Sequence, residues 1–487
     1  MYKVLARLTQ DVPPQLTHHP MKRLAILTAG GDTPALNATL HGAVTRANQL
    51  GIEIFGLVDG YSGLLDEQLP HIPLNPLLAT IPELDPCRGG TILGSSRTYL
   101  DGSDPMLVDE VAGRLDKLGI DGLVAVGGDG TLNGMQPLAE RLPCVLAPKT
   151  IDNDLGLNAP DEPTSWTEPL GDGPPEIGSG DEPLDISRMV NFATPGYATA
   201  VFVVVQAIRR IRTTAESHRR IAIVEVMGRQ SGYIALGGSY GQPDLVAIPE
   251  VPVEFDRFAE RISEIYRQQQ HVVVVIGEGI VDETGQGLGA TSPSVDPAGN
   301  VIFRGAAEAL RQRLADTLSA TLFRGHATPA AAIFTRKVGH TQRGGRPVLF
   351  DRFHAARLGG QAVDLIHQDR PDHVATLQWS SSGGFTVDGI PASRLRDRWG
   401  VVRPRLVHHS FFDNENWRIS PRGCDYLRAI FTDAVGSGDV EHLRGDLFDT
   451  GHLATTYQSI NVRLAQRVRR VSPPETEHPK VEPSSQP

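Results

Sequence analysis

Short, unbroken apolar runs that stop at glycine are the main pattern in this chain. Residues 24–28 (LAILT) run into Gly30-Gly31-Asp32, which predicts a buried strand entering a tight turn. A helix-like stretch over 38–50 ends at Gly51, and 52–57 reads as the next strand. The same grammar returns at 122–126 before Gly127-Gly128-Asp129-Gly130 and at 144–147 before Pro148. It recurs at 221–226, and at 272–276 before Gly277-Glu278-Gly279. Apolar runs without polar alternation are strands covered on both faces, and strands alternating with helices imply an α/β protein with parallel sheets. In such sheets ligands collect at the carboxyl ends of strands, where most of the polar motifs fall.

Several stretches break this grammar. Residues 159–187 are rich in Pro, Gly, Asp and Glu, which predicts an acidic, flexible insertion. Residues 1–20 read as a leader without a signal-peptide apolar core, and 472–487 as a disordered tail. Residues 400–470 carry Trp417, Tyr426, Leu427, Ile430 and Phe431 and look folded, but no chemistry is legible in them. A length of 487 residues suits two or three domains. The net charge of −11 argues against non-specific nucleic-acid binding but not against an anionic substrate, because local clusters hold phosphates. No apolar run approaches the ~20 residues of a membrane span. Cys87, Cys144 and Cys424 have no metal-type spacing and no disulfide framework, so a reducing cytoplasm is expected.

Six motifs can carry chemistry. Gly30-Gly31-Asp32 and Gly127-Gly128-Asp129-Gly130-Thr131 are glycine turns whose backbone amides can approach a phosphate, the second at a helix start. A bare turn explains either one alone. Asp129 can hold Mg²⁺, in part through water. In Thr150-Ile151-Asp152-Asn153-Asp154, two carboxylates two residues apart share a face if the segment is extended. One can then act as base towards a hydroxyl while the other positions it; an Asx turn is the plainer reading. Arg220, and Met227-Gly228-Arg229 at the end of the predicted 221–226 strand, offer guanidinium forks for phosphate, or a solvated basic patch. Glu278 between two glycines can accept from sugar hydroxyls, or is an exposed turn residue. Gly339-His340-Thr341-Gln342-Arg343-Gly344-Gly345 would flank an anion with His340 and Arg343, although a lone histidine is more often structural.

In this order and spacing the motifs resemble the 6-phosphofructokinase family, of the type built around Gly-Gly-Asp turns, from about residue 24 to about 398. The resemblance includes Gly89-Gly90-Thr91-Ile92-Leu93-Gly94-Ser95-Ser96-Arg97. It implies two Rossmann-like three-layer αβα domains with parallel-rich sheets, plus a C-terminal extension. The implied division is a donor-binding domain over 21–158, completed by part of 341–398, a sugar-phosphate domain over 188–340, connecting elements over 341–398, and the extension over 399–471. Mg²⁺-dependent phosphoryl transfer to the 1-hydroxyl of fructose 6-phosphate is implied. Asp152 would be the base, with Thr150 and Arg229 catalytic and Asp129 the metal ligand. Gly30, Gly31, Arg97, Gly128, Gly130, Thr131 and Lys149 would meet the donor. Thr150, Asp152, Asp154, Arg220, Met227, Gly228, Arg229, Glu278, Arg336, His340 and Arg343 would meet the sugar phosphate. Arg220 would serve a neighbouring subunit, which implies a homo-oligomer, a dimer or tetramer.

The chain departs from the family pattern at Ala35, at Thr98 in place of an aromatic, and at Phe334 where a phosphate arginine is usual. Arg336 shares a strand face with Phe334 and can substitute. His41 and Thr45 stand where bacterial members carry effector-binding arginines. Pyrophosphate users typically have Asp and Lys where this chain has Gly130 and Lys149, and the best-known ATP users have Gly at both. The mixed pair places ATP ahead, because without the Asp the nucleotide pocket is open, and keeps pyrophosphate as the alternative. An NAD-kinase-like reading explains only the Gly-Gly-Asp-Gly turn. A non-catalytic sugar-phosphate-binding regulator would not need Asp129, Asp152 and Arg229. A seven-carbon ketose phosphate is a further substrate that Glu278 and His340 would accept.

Overall fold

The computed structural model describes residues 22–75, 81–166, 184–289, 294–295, 301–302, 305–319, 321–323, 329–442, 445 and 447–471. The leader over 1–20 and the tail over 472–487 lie outside them. The chain first lays down β1 (Arg23–Thr28), β2 (Glu53–Leu57), β3 (His71–Pro73), β4 (Gly122–Gly127) and β5 (Cys144–Pro148). It then crosses to β6 (Ile221–Val226), β7 (Leu245–Ala247) and β8 (Val272–Gly277), passes through an antiparallel pair, β9 (Ser294–Val295) and β10 (Val301–Ile302), and reaches β11 (Ile333–Lys337). The helix Leu349–His367 carries it back to β12 (His373–Ser380) and β13 (Gly384–Pro391). A small hairpin, β14 (Phe412–Asp413) and β15 (Arg418–Ile419), and three helices follow, Pro421–Phe431, Ser437–His442 and Ile460–Ala465.

Two sheets result. The first has seven strands in the order β13-β12-β5-β4-β1-β2-β3, parallel through its centre and antiparallel at both outer pairs. The second is fully parallel, β11-β6-β8-β7. With helices packed on them they form two Rossmann-like α/β units, the class that the alternating apolar runs predicted. β4, β5, β6 and β8 are buried along their whole length, as parallel strands covered on both faces must be. Registers such as Gly127↔Pro148 and Val226↔Gly277 bring neighbouring carboxyl ends level, so the turns that follow them share an edge.

Two expectations change. The stretch over 159–187, expected to be a flexible insertion, is folded in both of its described parts, the second entering a helical turn at Ile186–Arg188. A short helix, Glu162–Ser165, is tied down by Asn158 N donating to Glu162 Oε2 at 2.5 Å, and Trp166 is buried with Arg403 5.8 Å from its ring centroid. Residues 167–183 lie outside the described residues. Part of the stretch over 400–470, in which no chemistry was legible, packs into the seam between the two units. Phe411, Trp417, Tyr426, Leu427 and Ile430 are buried. Tyr426 stacks on Phe411 at 4.9 Å and meets Phe192 at 4.8 Å and Tyr233 at 5.6 Å. Ser420 starts the Pro421–Phe431 helix by accepting from Gly423 N at 3.1 Å, the usual N-cap bond.

Candidate functional site

Three turns meet at the carboxyl edge of the first sheet. After β1, Gly30 takes φ 80°, a left-handed conformation that favours glycine. Its N–H donates to Ser96 O at 2.9 Å and its carbonyl accepts from Ser95 Oγ at 2.9 Å, which ties the Arg97 segment to the turn. After β4, Gly128 precedes the Asp129–Ala139 helix, and Thr131 is buried with an unpartnered hydroxyl beside Gly30. After β5, Lys149 is only 2% exposed and its ammonium donates to Gly31 O. Burial, and then the charges of Arg343 and Arg97, lower the Lys149 pKa to about 7 against the pull of Asp32 and Asp152. Burial likewise raises Asp32, with Lys149 opposing.

Tyr99 is a residue that sequence reasoning missed. A Cβ on Gly130 would stand 2.5 Å from its hydroxyl, and a Cβ on Gly134 would stand 2.6 Å from its ring. The aromatic thought absent at Thr98 therefore lies one residue on, across the first turns of the Asp129–Ala139 helix. The two adjacent glycines, spaced one helical turn apart, are the signal that could have found it.

The Thr150–Asp154 loop follows β5. Asp152 N donates to Thr150 Oγ1 at 3.1 Å. Asp152 and Asp154 were expected to share a face because the segment would be extended. Instead Asn153 adopts φ 58°, and the chain turns between them; asparagine tolerates this left-handed conformation better than most side chains. The carboxylates are still neighbours. Burial, with the charges of Asp152 and Asp129, pushes Asp154 up to about 8, and its Oδ1 is buried without a hydrogen-bond partner. Asp129 is raised by burial and by Asp152, and Arg229 lowers it.

Arg229 comes from the other sheet, from the turn Met227-Gly228-Arg229 after β6. Its charge acts on Asp129, so the carboxyl ends of the two sheets face one cleft. Glu278 follows β8, and burial raises its pKa against Lys337. Lys337, also missed, bridges Glu225 at 2.7 Å and Glu278 at 3.4 Å. Its pairing with Glu225 across adjacent parallel strands, Lys337↔Glu225, follows from the register and not from the sequence. Arg336 lies on the opposite face of β11 from Lys337 and is exposed. His340 is exposed in the Gly339–Gln342 turn. Arg343, expected beside it on the sugar's phosphate, reaches the first unit, where its Nη1 donates to Asp32 O at 3.3 Å and lies against Gly31. Arg220 precedes β6 at its amino end, roughly 20 Å along the strand from Met227. Within one chain it is not brought to this cleft.

No group of three or more His, Cys, Asp or Glu side chains among the described residues is arranged to hold a metal. That suits Mg²⁺, which binds through one or two carboxylates and otherwise through water and substrate phosphates. Asp129, partly buried beside other carboxylates, has the chemistry for it, since a dication would offset the desolvation and the Asp152 charge that raise its pKa.

A crevice between the carboxyl ends of two Rossmann-like sheets, with glycine turns on one wall and arginines on the other, defines a phosphate-handling α/β enzyme. The Phosphofructokinase family model matches residues 23–159 and 189–366, and the chain belongs to that family. An ATP-dependent 6-phosphofructokinase of Corynebacterium efficiens is 35% identical over 369 residues, 73% of this chain and 90% of that protein. A pyrophosphate–fructose 6-phosphate 1-phosphotransferase of Dictyoglomus thermophilum is also 35% identical, over 72% of this chain and 87% of that protein. In fold, the chain resembles a pyrophosphate-dependent phosphofructokinase of Nitrosospira multiformis. The TM-score is 0.64 at 16% identity, over 85% of this chain and 92% of the other. No helix among the described residues is long and apolar enough to cross a membrane.

Proposed function

We propose that the chain is a 6-phosphofructokinase of glycolysis. It moves the terminal phosphoryl group of ATP onto the 1-hydroxyl of fructose 6-phosphate, working in the cytoplasm as a homo-oligomer. The observation that carries the reading is the convergence of Asp129, Asp152 and Arg229 between the two sheets, with Asp152 and Arg229 both close enough to act on the ionisation of Asp129. Asp152 takes the proton from the 1-hydroxyl as that oxygen attacks phosphorus, and Thr150 holds the loop that aims it. Arg229 and Arg97 stabilise charge on the transferring group, and Glu278 accepts from the sugar hydroxyls. Lys149 and the glycine turns take the donor phosphates. Mg²⁺, for which Asp129 is the ligand, neutralises charge on those phosphates when bound.

Gly130 supports ATP, because it adds no second carboxylate beside Asp129 at the helix start. A second reading has its own observation. The Tyr99 hydroxyl and ring cover Gly130 and Gly134, and the Lys149 ammonium is seated on Gly31 O. Together these narrow the room beyond the two terminal phosphates, which favours pyrophosphate. Initial rates with ATP and with pyrophosphate at matched concentrations, in wild type, Lys149→Gly and Tyr99→Ala, decide between them. Faster turnover with pyrophosphate in wild type overturns the ATP reading, and no turnover with either donor overturns both. Asp152→Ser is expected to lower kcat roughly a hundred- to ten-thousandfold with little change in fructose 6-phosphate binding. Retained turnover would reassign the base.

A further inference from the structure

The segments matched by the family end at residue 366, yet the loop carrying the two aspartates is gripped from behind by residues beyond it. Asn153 stands between Asp152 and Asp154, so its conformation sets the direction of both carboxylates. Every polar group of its side chain is engaged. Its Nδ2 donates to Tyr426 Oη at 2.6 Å, and its Oδ1 accepts from Thr194 N at 2.9 Å. Tyr426 Oη in turn donates to Phe192 O at 2.9 Å. The Asn153 carbonyl accepts from Arg405 Nη2 at 2.7 Å, and the Asp154 carbonyl from the Arg405 backbone N–H at 2.6 Å. The same guanidinium holds the neighbouring segment that bonds to β12, with Nη1 on Asn191 O at 2.9 Å and Nη2 on Phe192 O at 3.4 Å.

Arg405 is 1% exposed, and the hydrogen bonds of its guanidinium go to backbone carbonyls. A buried guanidinium is costly to desolvate, and a hydrophobic side chain would fill the same seam more simply. What the guanidinium supplies is several directed donors in a fixed fork, three carbonyls held at once, one of them in the catalytic loop. Tyr426 adds a hydroxyl that both accepts from the loop and donates to the Phe192 carbonyl. The hold selects the left-handed backbone of Asn153, a conformation that asparagine tolerates but does not adopt by default.

We infer that Arg405 and Tyr426 of the C-terminal extension are positioning residues for phosphoryl transfer, acting through Asn153 to fix the Asp152 and Asp154 carboxylates in the cleft. The inference rests on the phosphotransferase reading above for the reaction it serves. Neither residue touches substrate. Their effect is on the geometry of the base, where a displacement of about 1 Å can cost on the order of a hundredfold in rate.

The test uses the full-length protein. Tyr426→Phe removes one hydroxyl, Arg405→Lys keeps the charge but loses the fork, and Asn153→Ala removes the side chain that Tyr426 grips. Tyr426→Phe is expected to lower kcat by about ten- to a hundredfold with the KM for fructose 6-phosphate within about twofold, and to shift the limb of the kcat–pH profile that reports the base. Arg405→Lys is expected to fall at least as far. The Tyr426→Phe/Asn153→Ala double variant should be no slower than the slower single variant, because both remove one contact. A kcat per folded molecule within twofold of wild type in Tyr426→Phe and Arg405→Lys would overturn the inference, as would a strictly additive double variant. Should Arg405→Lys not fold, Tyr426→Phe decides. A readout free of turnover separates this from failure of the functional reading. Amide exchange over 150–155 should quicken in Tyr426→Phe while β5 stays protected, and unchanged exchange there overturns the hold even in a protein with no turnover.

Discussion

At the scale of single residues, the site is governed by side chains that share a cramped volume. Lys149 has a pKa of about 7 because it is buried and faces Arg343 and Arg97. At pH 8 it is therefore mostly neutral in the free protein. Phosphates brought beside it favour the charged form, so donor binding should take up close to about one proton at that pH. Titration calorimetry in buffers of different ionisation enthalpy should show this uptake, and Lys149→Met should abolish it. An uptake unchanged in the variant would locate the proton elsewhere. Gly130 and Tyr99 are a second coupled pair. Asp placed at 130 must displace the Tyr99 hydroxyl, since its Cβ would stand 2.5 Å away. Gly130→Asp is expected to cut ATP turnover at least about tenfold, and Tyr99→Ala in the same chain to restore part of it. The glycine turns, Asp129, Asp152 and Arg229 that meet at the cleft were legible in the sequence as candidates, because phosphate chemistry restricts residue choice, whereas Arg220 was named there and lies at the other end of β6. Lys337, Tyr99 and Arg405 were not, because each acquires its meaning from a neighbour distant in the chain: Glu225, Gly130 and Asn153.

Among the secondary-structure elements, legibility followed burial. β1, β4, β5, β6 and β8 were readable because a strand covered on both faces is an uninterrupted apolar run. β3, β7 and β13 were not. The first two are three residues long, and β13, an edge strand of GFTVDGIP, is largely open to water and carries no such run. The helices meet where a polar group reconciles their ends. Asp351, in the first turn of Leu349–His367, accepts from Thr199 N at 2.7 Å and Thr199 Oγ1 at 2.6 Å, and so caps the Tyr197–His218 helix of the second unit from the returning helix. Asp351→Ala leaves both donors buried and unpaired. The expected cost is about 2 kcal/mol of stability, read as a lower urea midpoint at unchanged slope. A midpoint within error of wild type would show that water takes over both bonds.

On the scale of the whole molecule, the extension joins the two units through buried polar contacts as well as through the aromatic seam. Glu250, just beyond β7, accepts from Gly232 N at 2.9 Å and from Val407 N at 2.7 Å. Burial outweighs these bonds and raises its pKa to about 7, and its Oε2 is buried without a partner. A carboxyl raised in the folded state holds its proton to higher pH than in the unfolded chain. The folded protein therefore binds more protons between about pH 4.5 and 7, and stability from this group is lost as pH rises through that window. Relative to wild type, Glu250→Gln should gain in melting temperature as pH rises from 5 to 8. A difference that is flat with pH would mean that the charge is solvated. The general plan of two α/β units was legible in the sequence, and the part that the extension plays in closing their seam was not, since aromatic and aliphatic residues at 411–430 signal burial but not what they are buried against.

The placement of β12 and β13 has a consequence for how the protein is made. β5 sits between β4 and β12, so during synthesis on the ribosome its outer edge is open until some 225 residues after it have been added. Over that interval the nascent chain carries an unpaired parallel strand directly ahead of the Thr150–Asp154 loop, a template for wrong partners. Arg405 and Tyr426 emerge later still. The cleft is thus completed from the far end of the message, and a chain cut short before residue 373 would display the glycine turns and the aspartates on a sheet that still lacks the strands beside them.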